Sequence, residues 1–237
     1  MTIKTCLYGL AAAGALMLAK PAFADEDSVE ERKFDGSAHL GSTVKSRKNA
    51  FGLVLSEGVI IESDASVGYG PFHLGTDVVY DVLATKVTEI DTVGGVGGSV
   101  DKVNMDLSMI YVALPESNGL AGIPALMGKV GFDVPFNPTI FTCWDFKKGI
   151  YTDLTVGTAN VPIGEIYYNL SMTGGVNYSN FIPEGTWNFH LQQRHKLIFP
   201  ISDHFSAGLE GGVIVGQASS EEQYHEYYAN LGFSLDL

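Results

Sequence analysis

The chain has few cysteines, few basic residues and, after residue 24, no long apolar run. No stretch of 18 consecutive apolar residues occurs there, which excludes a membrane-spanning helix in that part of the sequence. Cys6 lies in an apolar leader, so a processed chain retains Cys143 alone and has no internal disulfide. Lys and Arg number 14 against 27 Asp and Glu. This acidic balance argues against binding of nucleic acid through its phosphates.

The first 24 residues predict a cleaved secretory signal peptide. Lys4 supplies the positive n-region, residues 7–19 form the apolar h-region, and Ala22-Phe23-Ala24 is an A-x-A cleavage site. An N-terminal transmembrane anchor is the alternative, but the apolar run is shorter than the ~20 residues that a membrane helix needs. Cleavage removes two lysines and no acid, so the formal net charge of −13 becomes two units more negative.

The rest of the chain divides into a short lead-in and one folded domain. Residues 25–36 are charged, and we expect them to form a flexible periplasmic segment. Residues 37–237 are expected to form the folded domain. Gly is frequent and Pro is sparse, and the Pro residues cluster in connections between strands, as expected for an all-β chain.

The folded domain alternates apolar and polar residues with a period of two, which places successive side chains on opposite faces of a strand. In 166–178, Leu170 and Met172 share one face, and Asn169 and Ser171 share the other. The segments have roughly the 9–11 residues that a tilted membrane strand needs, and about twelve of them are found, an even number. The predicted strands are 38–47, 59–69, 72–82, 88–98, 102–113, 125–134, 139–147, 150–160, 166–178, 187–199, 204–217 and 227–237.

The connections alternate between short turns and longer loops. The short set is rich in Pro, Gly, Asn or Asp and is assigned to the periplasmic side. The longer set, assigned to the outer side, comprises 48–58, 114–124, 179–186 and 218–224. This asymmetry is typical of outer-membrane barrels, although the connections near 83–87 and 147–149 are short.

Aromatic residues are expected to form a belt at each membrane interface, where amphipathic rings are favoured. The outer belt is predicted to contain Tyr80, Tyr111, Trp144, Tyr151, Tyr178, Trp187 and Tyr227. The inner belt is predicted to contain Tyr69, Phe72, Tyr168 and Phe199.

These patterns predict an all-β, transmembrane, antiparallel up-and-down β-barrel of about 12 strands in a Gram-negative type of outer membrane. The alternative is a soluble β-sandwich or lipocalin-like barrel, whose apolar face would point inward. Gln193 and His195 count against the membrane barrel, because the register of 187–199 points both at lipid. A β-bulge in that strand would turn them inward.

Short motifs along the chain resemble the TorF-type family of porins. That family pairs an early YxxRGxxLSxGP hairpin with a later EIDY strand start, and residues 49–60, 66–69 and 89–91 follow this order. Asn137-Pro138 and Gly149-Ile150-Tyr151 match its late NP turn and GxY hairpin. Val59 stands in place of the family's Pro. The resemblance implies an outer-membrane barrel with a channel role and no catalytic residue.

The polar face of the strands is predicted to line the barrel interior. The pore-lining candidates in the strands are Glu62, Asp64, Asp77, Asp81, Asp91, Asp106, Asp153, His190, Arg194, Lys196 and Glu210, together with Lys45 and Arg47. Because acids outnumber bases, we expect a porin for passive diffusion of small polar solutes with a mild cation preference. Equally, these charges could pair and plug a narrow barrel.

Other functions are weaker interpretations of the same residues. A hydrolase would need a Ser–His dyad at the rim, and its candidate histidines are His190, His195, His204 and His225. The chain is therefore expected not to be an enzyme and to use no cofactor or metal. A non-conducting surface barrel remains an alternative, with binding loops at 48–58 and 179–186. The expected partners are the lipid bilayer, lipopolysaccharide and the barrel-assembly machinery.

Overall fold

The computed structural model describes residues 36–46, 48–50, 53–56, 58–115, 121–146, 149–158, 160–180, 186–218 and 224–237. The signal peptide predicted at 1–24, all but the last residue of the predicted lead-in, and Arg47 lie outside these residues. No helix in the described part of the chain is long and apolar enough to cross a membrane.

Twelve long strands make up the fold. They are β1 (Gly36–Lys45), β2 (Ile60–Tyr69), β3 (Phe72–Asp81), β4 (Lys86–Val100), β5 (Val103–Leu114), β6 (Ala121–Phe132), β7 (Thr139–Asp145), β8 (Gly149–Gly157), β9 (Ile166–Tyr178), β10 (Trp187–Pro200), β11 (Phe205–Ala218) and β12 (Tyr224–Asp236). Each corresponds to one of the predicted strands, and β9 has the predicted bounds.

The strands close into a ring of antiparallel neighbours. Consecutive strands pair along the chain, and β1 pairs with β12, so that His39 lies opposite Asp236. Every long strand therefore has a partner on both sides, and the sheet has no free edge. The predicted antiparallel up-and-down barrel of about twelve strands is confirmed.

The two ends of the barrel differ in their connections. At the turn end, β2 and β3 are joined by Gly70-Pro71 alone, and Gly70 has φ 55°, a conformation that glycine adopts without steric cost. Val161–Ile163 adds a short strand beside β9 at this end. The opposite end, the loop end, carries the connection between β1 and β2, in which Lys48–Ala50 pairs with Leu53–Ser56.

The glycine-rich segment predicted as strand 88–98 is the longest strand of the barrel, β4. Its glycines make room for neighbouring side chains. A Cβ atom at Gly95 would lie 2.7 Å from His73 Nε2, whereas one at Gly98 would have no heavy atom within 4 Å. Glycine at position 95 thus allows the His73 ring to lie over β4.

The β-bulge considered for 187–199 is absent. The pairing of β10 with β9 and with β11 runs without a register shift. Gln193 and His195 therefore remain on the outward face of the barrel. Their polar groups hydrogen-bond to each other and to Tyr168. These hydrogen bonds reduce the free-energy cost of placing polar side chains on the outward face.

Candidate functional site

The strand register divides the side chains into an outward and an inward set. No Asp, Glu, Lys or Arg of the twelve described strands lies on the outward face. Apolar side chains on that face are exposed, with Leu231 and Phe233 each 46% accessible. The outer wall is thus apolar and uncovered, as a wall in contact with hydrocarbon must be.

The predicted aromatic belts fall on this wall with one exception. The predicted belt residues that face outward are Tyr69, Phe72, Tyr80, Tyr111, Trp144, Tyr168, Tyr178, Trp187, Phe199 and Tyr227. Tyr151 instead faces the interior and is 4% exposed, so its assignment to the outer belt is wrong. Side chains two residues apart on a strand lie on the same face. Tyr151 therefore faces inward together with Asp153.

All the predicted pore-lining residues that the structure describes face inward. They are Lys45, Glu62, Asp64, Asp77, Asp81, Asp91, Asp106, Asp153, His190, Arg194, Lys196 and Glu210. The interior formed by these and the other inward residues is the candidate functional site.

Two polar cavities lie inside the barrel and share a wall. The first, about 450 Å³, is bounded by residues of β1, β2, β10, β11 and β12. The second, about 390 Å³, extends beside β9 and the strand-linking residues Thr158 and Asn160. Arg194, Lys196 and Glu210 line both cavities. A solute in either cavity would therefore meet these three charged side chains.

Ion pairs tie together the strands around β1. His39 Nε2 lies 3.0 Å from Asp64 Oδ2, and His39 Nδ1 lies 2.6 Å from Asp236 Oδ1. Lys45 pairs with Glu62. The Lys45–Glu62 pair offsets one acidic charge, and the three contacts together fix β1 between β2 and β12.

A row of carboxylates crosses β2, β3 and β4. The register places Asp64 directly opposite Asp77, and Asp77 directly opposite Asp91. Like charges on directly opposed positions of a sheet repel each other. Asp64 also contacts His39, and Asp77 and Asp91 each take part in further interactions.

Two basic side chains occupy the opposite wall. β10 lies six strands from β4 in either direction around the ring. Arg194 donates from Nε to Ser171 Oγ over 3.1 Å. Neither Arg194 nor Lys196 forms an ion pair with an acidic residue in the described part of the chain. Arg194 and Lys196 thus lie across the interior from β4, with Glu210 directly opposite Lys196 on β11.

The loop-end half of the interior is densely filled. Ile60, Val79 and Ile214 face inward and are each 1% exposed, and Asn177 and Asn188 have no exposed surface. Cys143 is buried against Ala125 and Tyr151 in the same half. These buried side chains form a constriction towards the loop end of the described interior.

Ser108, His73 and Asp106 have the residue types of a hydrolase triad but not its hydrogen-bond pattern. His73 Nε2 lies 3.1 Å from Ser108 Oγ, and His73 Nδ1 lies 3.5 Å from Asp106 Oδ2. However, the Ser108 hydroxyl donates to Asp106, so its proton does not point at the imidazole. Ser108 is also 3% exposed, which leaves no space for an ester. The cluster ties β3 to β5.

The four histidines considered for hydrolysis lie far apart in the fold. His190 is buried on the inward face of β10, and His195 lies on the outward face of the same strand. His204 is in the turn before β11, and His225 faces outward near the loop end. The part of the chain described here contains no group of three or more metal-ligating side chains.

Sequence reasoning missed several inward residues. His39 lies two residues before Gly41 and six before Lys45 on one face of β1, and this spacing is the signal that would have identified it. The apolar residues Ile60, Val79 and Ile214 were missed for a different reason, because polarity alone assigns an apolar side chain to lipid. Only the pairing register shows that they face inward.

Comparison with known proteins finds similarity at the level of fold. No protein-family model and no curated protein sequence matches the chain. The solved structure of the NanC porin has a TM-score of 0.55 at 11% identity, covering 84% of this chain and 100% of NanC. The KdgM porin has a TM-score of 0.53 at 12% identity, covering 83% of this chain and 98% of KdgM. The structure of KdgM in complex with disordered oligogalacturonate has a TM-score of 0.53 at 11% identity, covering 84% of this chain and 98% of KdgM. The fold is that of outer-membrane porins, and membership of the TorF-type family stays a prediction.

Proposed function

We propose that this protein is an outer-membrane porin through which small polar solutes diffuse passively. The single observation that carries the proposal is the segregation of side chains by the register. The outward face of the described strands carries no charged residue, and the inward face carries polar cavities of about 450 and 390 Å³. In this proposal the turn end faces the periplasm and the loop end faces the exterior.

The row Asp64–Asp77–Asp91 supports a preference for cations. Carboxylates in a tube with low-dielectric walls focus the electric field and raise the local concentration of cations. The ion pair of Lys45 with Glu62 offsets part of the acidic charge, so we expect the preference to be mild.

Planar-bilayer recording of the purified protein tests this proposal. Folding is first checked on a gel, where a closed barrel migrates faster before boiling than after it. We expect discrete conductance steps and, in a KCl gradient, a reversal potential that favours K⁺. A folded protein without conductance steps would favour the non-conducting surface barrel. A reversal potential that favours Cl⁻ would contradict the cation preference but would agree with a porin.

A second candidate function is the passage of acidic saccharides. Arg194 and Lys196 line both cavities and have no acidic partner among the described residues. They are therefore free to bind the carboxylates of a solute, and the KdgM structure named above contains oligogalacturonate.

Channel block distinguishes the two candidates. Oligogalacturonate and a neutral oligosaccharide of equal length are added to a conducting channel. The second candidate requires stronger block by the acidic chain, and loss of that difference in the Arg194→Gln/Lys196→Gln variant. Equal block by both sugars would reject it without affecting the first proposal.

A further inference from the structure

Three polar side chains form a hydrogen-bonded chain on the outward face of β9 and β10. Tyr168 Oη lies 2.7 Å from His195 Nδ1, and Gln193 Nε2 lies 2.8 Å from His195 Nε2. Away from the loop end, where Gln217 and His225 lie, Gln193 and His195 are the only amide and imidazole on the outward face of the described strands. We call Tyr168, His195 and Gln193 the polar trio.

The polar trio reaches the middle of the apolar band. Gln193 is six residues from Trp187 and six from Phe199, the outward aromatic residues near the two ends of β10. Six residues of a tilted strand span about 15 Å along the membrane normal. The hydrocarbon core is about 30 Å thick, so Gln193 lies near its midplane, beyond the reach of lipid headgroups.

The polar trio leaves hydrogen-bonding capacity unused. A neutral imidazole has one N–H and one acceptor nitrogen. With the amide of Gln193 donating to Nε2, Nδ1 carries the proton and donates to Tyr168. One N–H and the carbonyl oxygen of Gln193 then have no partner among the described residues. Hydrocarbon offers neither a donor nor an acceptor, so this exposure is costly.

We propose that the wall formed by β9, β10 and β11 is an interface at which two copies of this chain pair in the membrane. The remaining groups of Gln193, one donor and one acceptor on a single amide, are complementary to the same groups of a second Gln193. A two-fold axis along the membrane normal brings these amides together at equal depth and keeps both barrels in the same orientation.

The surface beside the polar trio permits close approach. Gly211 lies directly opposite His195 on β11, and Ala229 lies opposite Gly211 on β12. Gly174, on β9, has only the tip of Leu191 at 4.0 Å from where a Cβ would be. Small residues at a membrane interface let two backbones come near each other and strengthen packing.

Cross-linking in intact outer membranes tests the interface. Leu191→Cys, which faces outward on β10 two residues before Gln193 and leaves the polar trio intact, is compared with Leu107→Cys, which also faces outward but from β5, five strands away by the shorter route. Two differently tagged copies are expressed together and treated with a short bifunctional maleimide. The parent protein is the background control, since Cys143 is fully buried. We expect a cross-linked band containing both tags from Leu191→Cys and little from Leu107→Cys.

Three results of this experiment would overturn the proposal. The first is equal cross-linking from both positions, which would indicate random collision. The second is no cross-linked band from a folded Leu191→Cys barrel. The third is a band that contains one tag and a different protein, which would identify another partner for this wall.

A second measurement keeps the test independent of folding defects. We expect the Gln193→Leu/His195→Leu variant to remain a closed barrel with unchanged conductance per barrel, because both residues face outward. Its dissociation constant for self-association in detergent, measured by analytical ultracentrifugation, should rise about tenfold. Unchanged self-association in this variant contradicts the proposal. If the double variant does not fold, the cysteine pair decides the question alone.

Discussion

The phenol oxygen of Tyr151 lies 3.3 Å from His190 Nε2, and the two rings stack with centroids 5.7 Å apart at an angle of 15°. Tyr151 comes from β8 and His190 from β10, so this contact bridges over β9 across the inner face of the wall. Both side chains are almost fully buried, and Phe141 lies against Tyr151 on the other side. The pair is thus a central part of the constriction at the loop end.

We expect Tyr151→Ala to widen this constriction and raise the conductance per channel. The change removes a buried aromatic ring and should destabilise the barrel by about 3 kcal/mol or more. Tyr151→Phe keeps the ring and loses only the hydroxyl, so its conductance should stay near that of the parent. Single-channel recording compares the three proteins, and equal conductance of the alanine variant and the parent would place the constriction elsewhere.

Neutralising the carboxylate row should reduce the preference for cations. In Asp77→Asn/Asp91→Asn, the carboxylate row across β2, β3 and β4 loses two of its three charges. Arg194→Gln/Lys196→Gln should act in the opposite direction, because it removes positive charge from the opposite wall. Reversal potentials in a KCl gradient measure both shifts.

The control for these charge changes is Asp133→Asn, the same substitution on an exposed residue in the turn between β6 and β7. It should leave the reversal potential unchanged. A shift as large as that of the lumen variant would mean that the net charge of the protein, and not the charges in the lumen, sets the selectivity.

Two glycines of β4 should respond differently to alanine. At Gly95 an added methyl group would clash with the His73 ring, and we expect a loss of about 1–3 kcal/mol in stability. At Gly98 the added methyl meets open space, so the variant should be as stable as the parent or slightly more so. Urea titration of the barrels in lipid vesicles, followed by tryptophan fluorescence, gives both values. Equal effects at the two positions would contradict the packing described for His73.

The period-two pattern made most of the fold predictable from the sequence. Alternation fixes the strands because each slip of one residue would exchange the lipid face and the polar face. The pattern in 166–178 is regular, and β9 has those bounds. The pattern is less regular in β4, because glycine has no side chain to show which face is apolar. The predicted strand 88–98 is shorter than β4 by two residues at each end.

The site was predictable only where the polarity of a residue matches the face that the alternating pattern assigns to its position. Asp77 and Arg194 lie on the polar face of their alternating segments, and both side chains face the barrel interior. Tyr151 was assigned by its residue type to the interface, although it shares the parity of Asp153. The contact between Tyr151 and His190 depends on which strands become neighbours of β9, and a pattern within one strand does not contain that information. That Lys196 forms no ion pair with the described residues could not be predicted for the same reason, because it depends on distances between strands.

The central claim is that the apolar side of each strand contacts lipid and the polar side encloses the lumen. Spin labels at Leu231→Cys and Asn230→Cys, adjacent on β12, test it in protein reconstituted in lipid vesicles. Power saturation with oxygen, which dissolves in lipid, and with a water-soluble nickel complex measures the surroundings of each label. We expect the label at 231 to be accessible mainly to oxygen and the label at 230 mainly to the nickel complex. The reverse pattern, or a label at 231 that neither reagent reaches, would contradict the membrane barrel.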